Sequence, residues 1–171
     1  MFALIKLIQS LFGALHSEGT PGQLAAGIAL GSIMGLTPLV NIHNAVVFAA
    51  IVLLNVSFAG GLLGWALFVP VGFLLDPLFD WIGHALLRAE PLHGLWTTLY
   101  NTPILPLTNF NNTVVLGSLV FALLFFFPLF LATRWAVGRY RETVGARVRR
   151  SRFYKAVMAS KAYNVYRMFR P

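Results

Sequence analysis

Hydrophobic residues dominate this chain, and polar or proline-containing breaks divide them into separate apolar stretches. Two stretches, 56–75 and 114–132, have the length of a membrane-crossing helix, which needs about 20 apolar residues to span the hydrocarbon core. Two others, 24–40 and 45–54, are shorter. The pattern predicts an all-α integral membrane protein that combines transmembrane helices with shorter apolar helices.

A polar break separates the two short stretches. Pro38 disrupts a continuing helix because it has no N–H to donate, and Asn41, His43 and Asn44 follow it. Irregular backbone at membrane depth persists only where protein or a wet cavity surrounds it. We therefore expect a re-entrant hairpin or a broken helix with its tip at 38–44. One kinked span over 24–54 is the alternative, and it would place the N-terminus on the outer side.

Small residues mark one face of the first short helix. The helix opens with the capping sequence Thr20-Pro21-Gly22-Gln23. Gly27, Gly31 and Gly35 then recur four residues apart, and this spacing lets another helix approach closely in lipid. We expect this glycine face to pack against a helix or to dock a partner protein.

Two further stretches have amphipathic patterns. Residues 1–16 predict a helix lying in the membrane interface. Asp76-Pro77 is expected to end the first long span, and a second amphipathic stretch covers 77–89. There Asp76, Asp80 and His84 share a face, which favours a solvated surface over a divalent-metal site.

Composition and charge support membrane residence and orient the chain. Of the 171 residues, 58% are hydrophobic and 11% are charged, against about a quarter charged in soluble domains. Residues 1–133 contain two basic and four acidic side chains, whereas 134–171 contain eleven basic and one acidic. Basic segments beside a span stay in the cytoplasm. The sequence therefore predicts a membrane domain over 20–133 and a basic, helical cytoplasmic tail over 134–171.

The basic tail has three interpretations. It contacts anionic lipid, it serves only as a topology signal, or its interspersed aromatic residues contact a partner or nucleic acid. Lipid contact is favoured, and no nucleic-acid partner is predicted. The lipid-contacting residues would be Arg147, Arg149, Arg150, Arg152 and Lys155.

An internal repeat is suggested by two similar segments. The sequence from Asn41 to Phe48 and that from Asn109 to Leu116 share two asparagines three apart followed by Val-Val, and a Thr-Pro precedes each. The repeat units would be 21–54 and 91–132. In many transporters, inverted repeats bring interrupted segments together near the midplane. The predicted site for an anionic lipid headgroup comprises Asn41, His43, Asn44, Asn109 and Asn112. For Asn41 or Asn44 the alternative is a capping role, in which the side chain satisfies the backbone freed by Pro38, and this role is favoured over ligand contact. A small-solute or lipid transporter built on such inverted re-entrant repeats is the alternative function.

Several chemistries find no support in the sequence. The chain has no cysteine, which excludes thiolate catalysis and cysteine-based zinc sites. No serine, histidine and acid form a nucleophilic set, and no glycine-rich phosphate loop follows a strand. We therefore predict a non-enzymatic protein without cofactor or metal, with a homo-oligomer left open.

Residues 21–90 resemble a bacterial membrane-protein family known as domain of unknown function 2062. The matching residues are Ala25-Ala26-Gly27-Ile28-Ala29-Leu30-Gly31, Gly35, Pro38 and Asn55. The family pattern has Asn-Pro where Val69-Pro70 stands here. The resemblance implies no known activity. It implies neighbours similar to large AsmA-type lipid-bridge proteins, and hence an inner-membrane role in phospholipid handling as the partner or anchor of such a protein.

Overall fold

The computed structural model describes residues 19–143, and within that range the chain is helical without any strand, as the sequence predicts. The predicted interfacial helix over 1–16 and the predicted lipid-contacting residues from Arg147 to Lys155 lie outside the described residues. Five α-helices are joined by turns that include short 3-10 segments at Glu90–Leu92 and Leu105–Thr108. The α-helices are α1 (Pro21–Leu36), α2 (Ile42–Leu53), α3 (Phe58–Arg88), α4 (His93–Asn101) and α5 (Thr113–Thr143).

The start of α1 follows the predicted capping pattern. The Thr20 side chain accepts a hydrogen bond from the Gln23 amide at 3.1 Å, and the Gln23 side chain accepts one from the Thr20 amide at 2.7 Å. Pro21 occupies the first turn, where its missing N–H costs nothing. The capping box is thus confirmed.

Replacing Thr20 by alanine is expected to lower the free energy of unfolding by about 1 kcal/mol, because the Gln23 amide loses the hydroxyl oxygen that accepts its hydrogen bond. Denaturation of the purified protein in detergent, followed by circular dichroism, measures the change. Thr20→Ser keeps the hydroxyl and should remain close to the wild type. Equal losses in both variants would contradict the capping role.

Helix α3 is longer than the sequence suggests. It runs through both Pro70 and Pro77 to Arg88, so Asp76-Pro77 does not end it and 77–89 is no separate helix. A proline inside a helix typically costs about 3 kcal/mol. Here Gly72 and Phe79 on either side of Pro77 are buried, and their packing holds the helix together across the missing hydrogen bond.

Helix α5 also extends past its predicted boundary. It continues through Arg134 to Thr143, so the first ten residues of the predicted tail belong to the same helix. Both α3 and α5 contain 31 residues, a length of about 46 Å. They are the two helices in the described part of the chain that are long and apolar enough to cross a membrane.

The helix directions follow from the contacts at the glycines. Gly27 lies against Ser57 and Gly35 against Phe68, so α1 and α3 run parallel. Gly83 lies against Thr113 at the start of α5, so α5 runs antiparallel to both. At the far end of α5, Arg141 Nη1 donates a hydrogen bond to the Gly19 carbonyl at 2.6 Å. Residues 19 and 141 therefore lie at the same end of the bundle.

The chain reverses between α1 and α2 instead of continuing as one kinked helix. Residues 37–41 form the turn, and a hydrogen bond of 2.8 Å from Gln23 Nε2 to Asn55 Oδ1 closes the base of this hairpin. Helix α2 thus runs antiparallel to α1 and returns the chain to the start of α3. A return segment is required because α1 and α3 are parallel.

The glycine face of α1 packs on α3 of the same chain. A Cβ placed on Gly31 would overlap the carbonyl oxygen of Gly61 and lie 2.8 Å from the Trp65 nitrogen. A Cβ on Gly64 would likewise overlap the Ile28 carbonyl. The backbones touch directly, as the spacing predicts. Because α3 covers this face, it is not free to dock a second protein.

A second close crossing joins α3 and α5. Cβ atoms on Gly83 and Gly117 would overlap the carbonyl oxygens of Thr113 and Phe79, respectively. Above and below these contacts, side chains from α1, α3 and α5 form the core. Its buried members are Leu24, Ile28, Leu63 and Val137 at one level and Ile33, Leu36, Phe79 and Ala122 at the next.

Candidate functional site

Asn44 holds the turn between α1 and α2. Its Oδ1 accepts a hydrogen bond from the Thr37 hydroxyl at 2.9 Å, and its Nδ2 donates to the carbonyls of Pro38 at 2.8 Å and Leu39 at 3.3 Å. Only 4% of Asn44 is exposed. Asn44 therefore satisfies the irregular backbone that follows α1, which is the structural role that the sequence left open beside ligand contact.

Asn41 joins the two predicted repeat segments. Asn109 Nδ2 donates to Asn41 Oδ1 at 3.0 Å, across 68 positions of sequence. Asn41 Nδ2 donates to the Pro38 carbonyl at 3.0 Å. Although Asn41 stands at the N-cap position of α2, its side chain makes no capping bond. The two asparagine-containing segments therefore meet in the folded chain.

Asn112 and His43 do not join this contact. Asn112 Oδ1 instead accepts from the Val115 amide at 3.1 Å and so caps α5. Both ring nitrogens of His43 are enclosed, with no hydrogen-bond partner in the described part of the chain. His43 also does not line the groove that lies between the α1–α2 hairpin and the segment before α5. The five predicted headgroup-binding residues are thus separated, and three of them line one groove.

An open groove of about 720 Å³ lies between the α1–α2 hairpin and the segment before α5. Apolar side chains make up most of its wall, and the three asparagines supply its polar part. The lining residues are Met34, Leu39, Val40, Asn41, Ile42, Asn44, Ala45, Phe48, Leu107 and Asn109. Spare hydrogen-bonding capacity remains on Asn41 and Asn109, since each uses one of its two amide hydrogens within the fold.

Residues 102–112, which we term the strap, contribute Leu107 and Asn109 to one wall of the groove. At one end of the strap, Phe110 stacks on Trp96 with ring centroids 6.0 Å apart, and Trp96 Nε1 donates to the Leu86 carbonyl at 3.0 Å. The strap also contains both non-glycine residues with positive φ in the described range, Ile104 at 77° and Asn109 at 56°. In the sequence, only asparagines and prolines mark this segment.

The repeat units are not related by inversion. Helix α2 runs from the turn toward Asn55, at the end of the bundle near Gly19. Helix α5 runs toward the same end, because it starts beside Gly83 of α3 and its Arg141 contacts Gly19. Helices α2 and α5, which occupy the same place in the two repeat units, therefore run in the same direction. In inverted repeats they would run in opposite directions. The helix starts also differ, because α2 begins between its two asparagines and α5 begins after both.

The acidic residues of α3 form no metal site. Asp80 accepts a hydrogen bond from the Thr113 hydroxyl and so ties α3 to the start of α5. Across 19–143, no three histidine or acidic side chains are close enough together to hold a metal ion.

Comparison with known proteins gives this chain a family but no activity. A model of uncharacterized proteins conserved in bacteria, DUF2062, matches residues 7–144, well beyond the 21–90 that the motifs alone indicated. An uncharacterized protein of Treponema pallidum (strain Nichols) is 30% identical over 138 residues, which cover 81% of this chain and 85% of the relative. No solved structure matches. The chain belongs to the DUF2062 family of bacterial proteins.

Proposed function

We propose that this protein is a non-enzymatic, multi-pass protein of the bacterial inner membrane that binds phospholipid in the groove beside Asn41. The groove carries the proposal, because its apolar walls suit an acyl chain while its amides can hydrogen-bond a headgroup. Three further features support it: the apolar outer surface, the spacing of two tryptophans and the depth of the polar turn.

The outer surface favours a lipid environment. Within the most apolar window of α3 and of α5, only 28% of residues are buried inside the protein. Leu74 is 80% exposed, Leu124 73% and Phe73 74%. A water-soluble fold rarely exposes so large a continuous apolar patch. Lipid chains would cover this surface.

Two exposed tryptophans mark levels that fit the two faces of a bilayer. Trp81 and Trp135 are each 68% exposed. Gly83 of α3 lies level with Thr113 of α5. Trp81 comes two residues before Gly83, and Trp135 comes 22 residues after Thr113. The tryptophans are thus separated by about 30 Å along the helices, which matches the hydrocarbon thickness. Tryptophan is enriched at both membrane interfaces.

The polar turn falls midway between these levels. A Cβ on Gly72 would lie 3.2 Å from Leu36 Cα, so the end of α1 is level with Gly72. That position is nine residues from Trp81, or about 14 Å. The α1–α2 hairpin would therefore be re-entrant, entering from one face and ending at mid-depth, where its asparagines are shielded by protein.

Orientation and partner follow from the charges and the family. The basic tail would hold residues 19 and 141 on the cytoplasmic side. The strap would lie toward the opposite face. The partnership with a large AsmA-like lipid-bridge protein stays a prediction from the resemblance, and the glycine face of α1 has no part in it because α3 covers that face.

Filling the groove tests the function. Ala45 is an exposed groove residue on α2, and Ala45→Trp should lower the amount of phospholipid that co-purifies in mild detergent about tenfold, because the indole occupies the space of an acyl chain. Native mass spectrometry with lipid extraction measures the bound lipid per protein.

Ala49→Trp provides the matched control. Ala49 is also exposed, one turn further along α2, but does not line the groove. The Ala49→Trp variant should therefore carry as much lipid as the wild type. If Ala45→Trp retains the full amount of lipid, or if the wild type carries none, the groove is not a phospholipid site.

A further inference from the structure

A single hydrogen bond ties the strap to the hairpin across the groove. Among residues 19–143, the side-chain bond from Asn109 to Asn41 links the two. The other hydrogen bonds of residues 104–109 are local, for example from the Leu107 amide to the Ile104 carbonyl at 3.0 Å and from the Thr108 hydroxyl to the Leu105 carbonyl at 2.7 Å. Local bonds therefore hold the 3-10 segment of the strap together, and one hydrogen bond between two asparagines ties it to the hairpin beside the open groove.

The backbone of the strap is strained in this arrangement. Ile104 has φ 77° and ψ −37°, a conformation that a β-branched residue rarely adopts. Such strain persists only where surrounding interactions outweigh it. The Ile104 side chain is 69% exposed and Leu107 is 65% exposed, so packing contributes little to holding them. Opening of the strap would release the strain at Ile104 at the expense of the Asn41–Asn109 bond.

We propose that the strap is a movable wall of the open groove, here called the gate, that moves away from the hairpin by breaking the Asn41–Asn109 bond and relaxing at Ile104, and so widens the groove to admit and release the bound lipid. This inference rests on the proposed function. Because the strap follows α4 at the end of the bundle remote from Arg141, lipid would enter and leave on the side opposite the basic tail.

Locking the gate tests the proposal. The chain has no cysteine, so Asn41→Cys/Asn109→Cys introduces its first two thiols, which a short bifunctional thiosulfonate can join. The protein is placed in phosphatidylethanolamine–phosphatidylglycerol vesicles, and the exchange of bound fluorescent phosphatidylethanolamine is followed. The cross-linked protein should exchange lipid at least tenfold more slowly than the same protein after reduction. Both states of this variant lack the two side-chain amides, so any difference between their exchange rates comes from the cross-link.

A matched pair controls for cross-linking itself. Gln23→Cys/Asn55→Cys replaces another hydrogen-bonded amide pair, at the base of the hairpin and away from the strap. Its exchange rate should be the same before and after reduction. Equal rates for the linked and reduced forms of the Asn41/Asn109 pair would overturn the gate while leaving lipid binding intact. Absence of bound lipid in the wild type would instead defeat the proposed function.

A second pair keeps the test decisive if the first variant binds no lipid when reduced. Val40→Cys/Leu107→Cys also spans the groove, from the turn to the strap, and removes no amide. Both positions are well exposed and accessible to a longer, flexible bis-maleimide, which is read against mono-maleimide labelling. Unhindered exchange in this linked protein would equally refute a moving strap.

Discussion

Replacing Gly31 by alanine should lower the free energy of unfolding by about 3 kcal/mol, one of the two largest effects that we expect in this fold. The added methyl group would meet the backbone of α3 at Gly61 and Trp65. A flexible side chain could move aside, whereas a backbone carbonyl cannot, so α1 and α3 must separate along their whole contact. Denaturant titration in detergent, followed by circular dichroism, measures the loss.

Gly94 offers the matched control. It lies in α4, and a Cβ there would have nothing within 4 Å. Gly94→Ala should leave stability unchanged or raise it slightly, since alanine is the better helix former. If Gly31→Ala is as stable as Gly94→Ala, the backbones of α1 and α3 do not approach each other as described.

Replacing Asn44 by leucine should also cost about 3 kcal/mol, because three hydrogen bonds worth about 1 kcal/mol each are lost together. The side chain is buried, and leucine has similar bulk but cannot bond Thr37 or the carbonyls of Pro38 and Leu39. The same variant should bind less phospholipid, since the hairpin tip that forms the groove would lose its shape. Unfolding and lipid content are measured on the same preparation.

Asn111→Leu serves as the comparison. Asn111 is exposed in the strap, and its replacement should change stability by less than about 0.5 kcal/mol. A small effect of Asn44→Leu, equal to that of Asn111→Leu, would mean that the turn is held by the chain reversal itself and not by the asparagine.

Local signals predicted local structure well. The capping box at Thr20 and Gln23 and the reversal after Pro38 each depend on a few neighbouring residues, so the sequence contains all that determines them. The spacing of Gly27, Gly31 and Gly35 likewise predicted a close helix contact. It did not identify α3 as the partner, because nothing in one helix specifies which other helix it meets.

Features that depend on tertiary packing escaped sequence reasoning. Pro77 was expected to end a helix, yet contacts on both sides of it carry α3 onward to Arg88. Gly61 and Gly64 of α3 are the counterparts of the α1 glycines, a pairing that the sequence of α3 alone does not specify. Within the groove, the repeat suggested that the two asparagine-containing segments meet, but not that Asn41 pairs with Asn109. The placement of His43 outside the groove was also not predicted, since it depends on how the chain turns between α1 and α2.

The parallel contact of α1 with α3 has a consequence for biosynthesis. Helices α1 and α2, at about 24 and 18 Å, are each too short to cross a bilayer alone. The surface that buries the α1 glycines belongs to residues 57–72, which leave the ribosome only after the hairpin has been made. In the membrane placement proposed above, the hairpin would therefore remain at the translocon or the membrane surface until α3 emerges, and the three helices would then integrate as a unit.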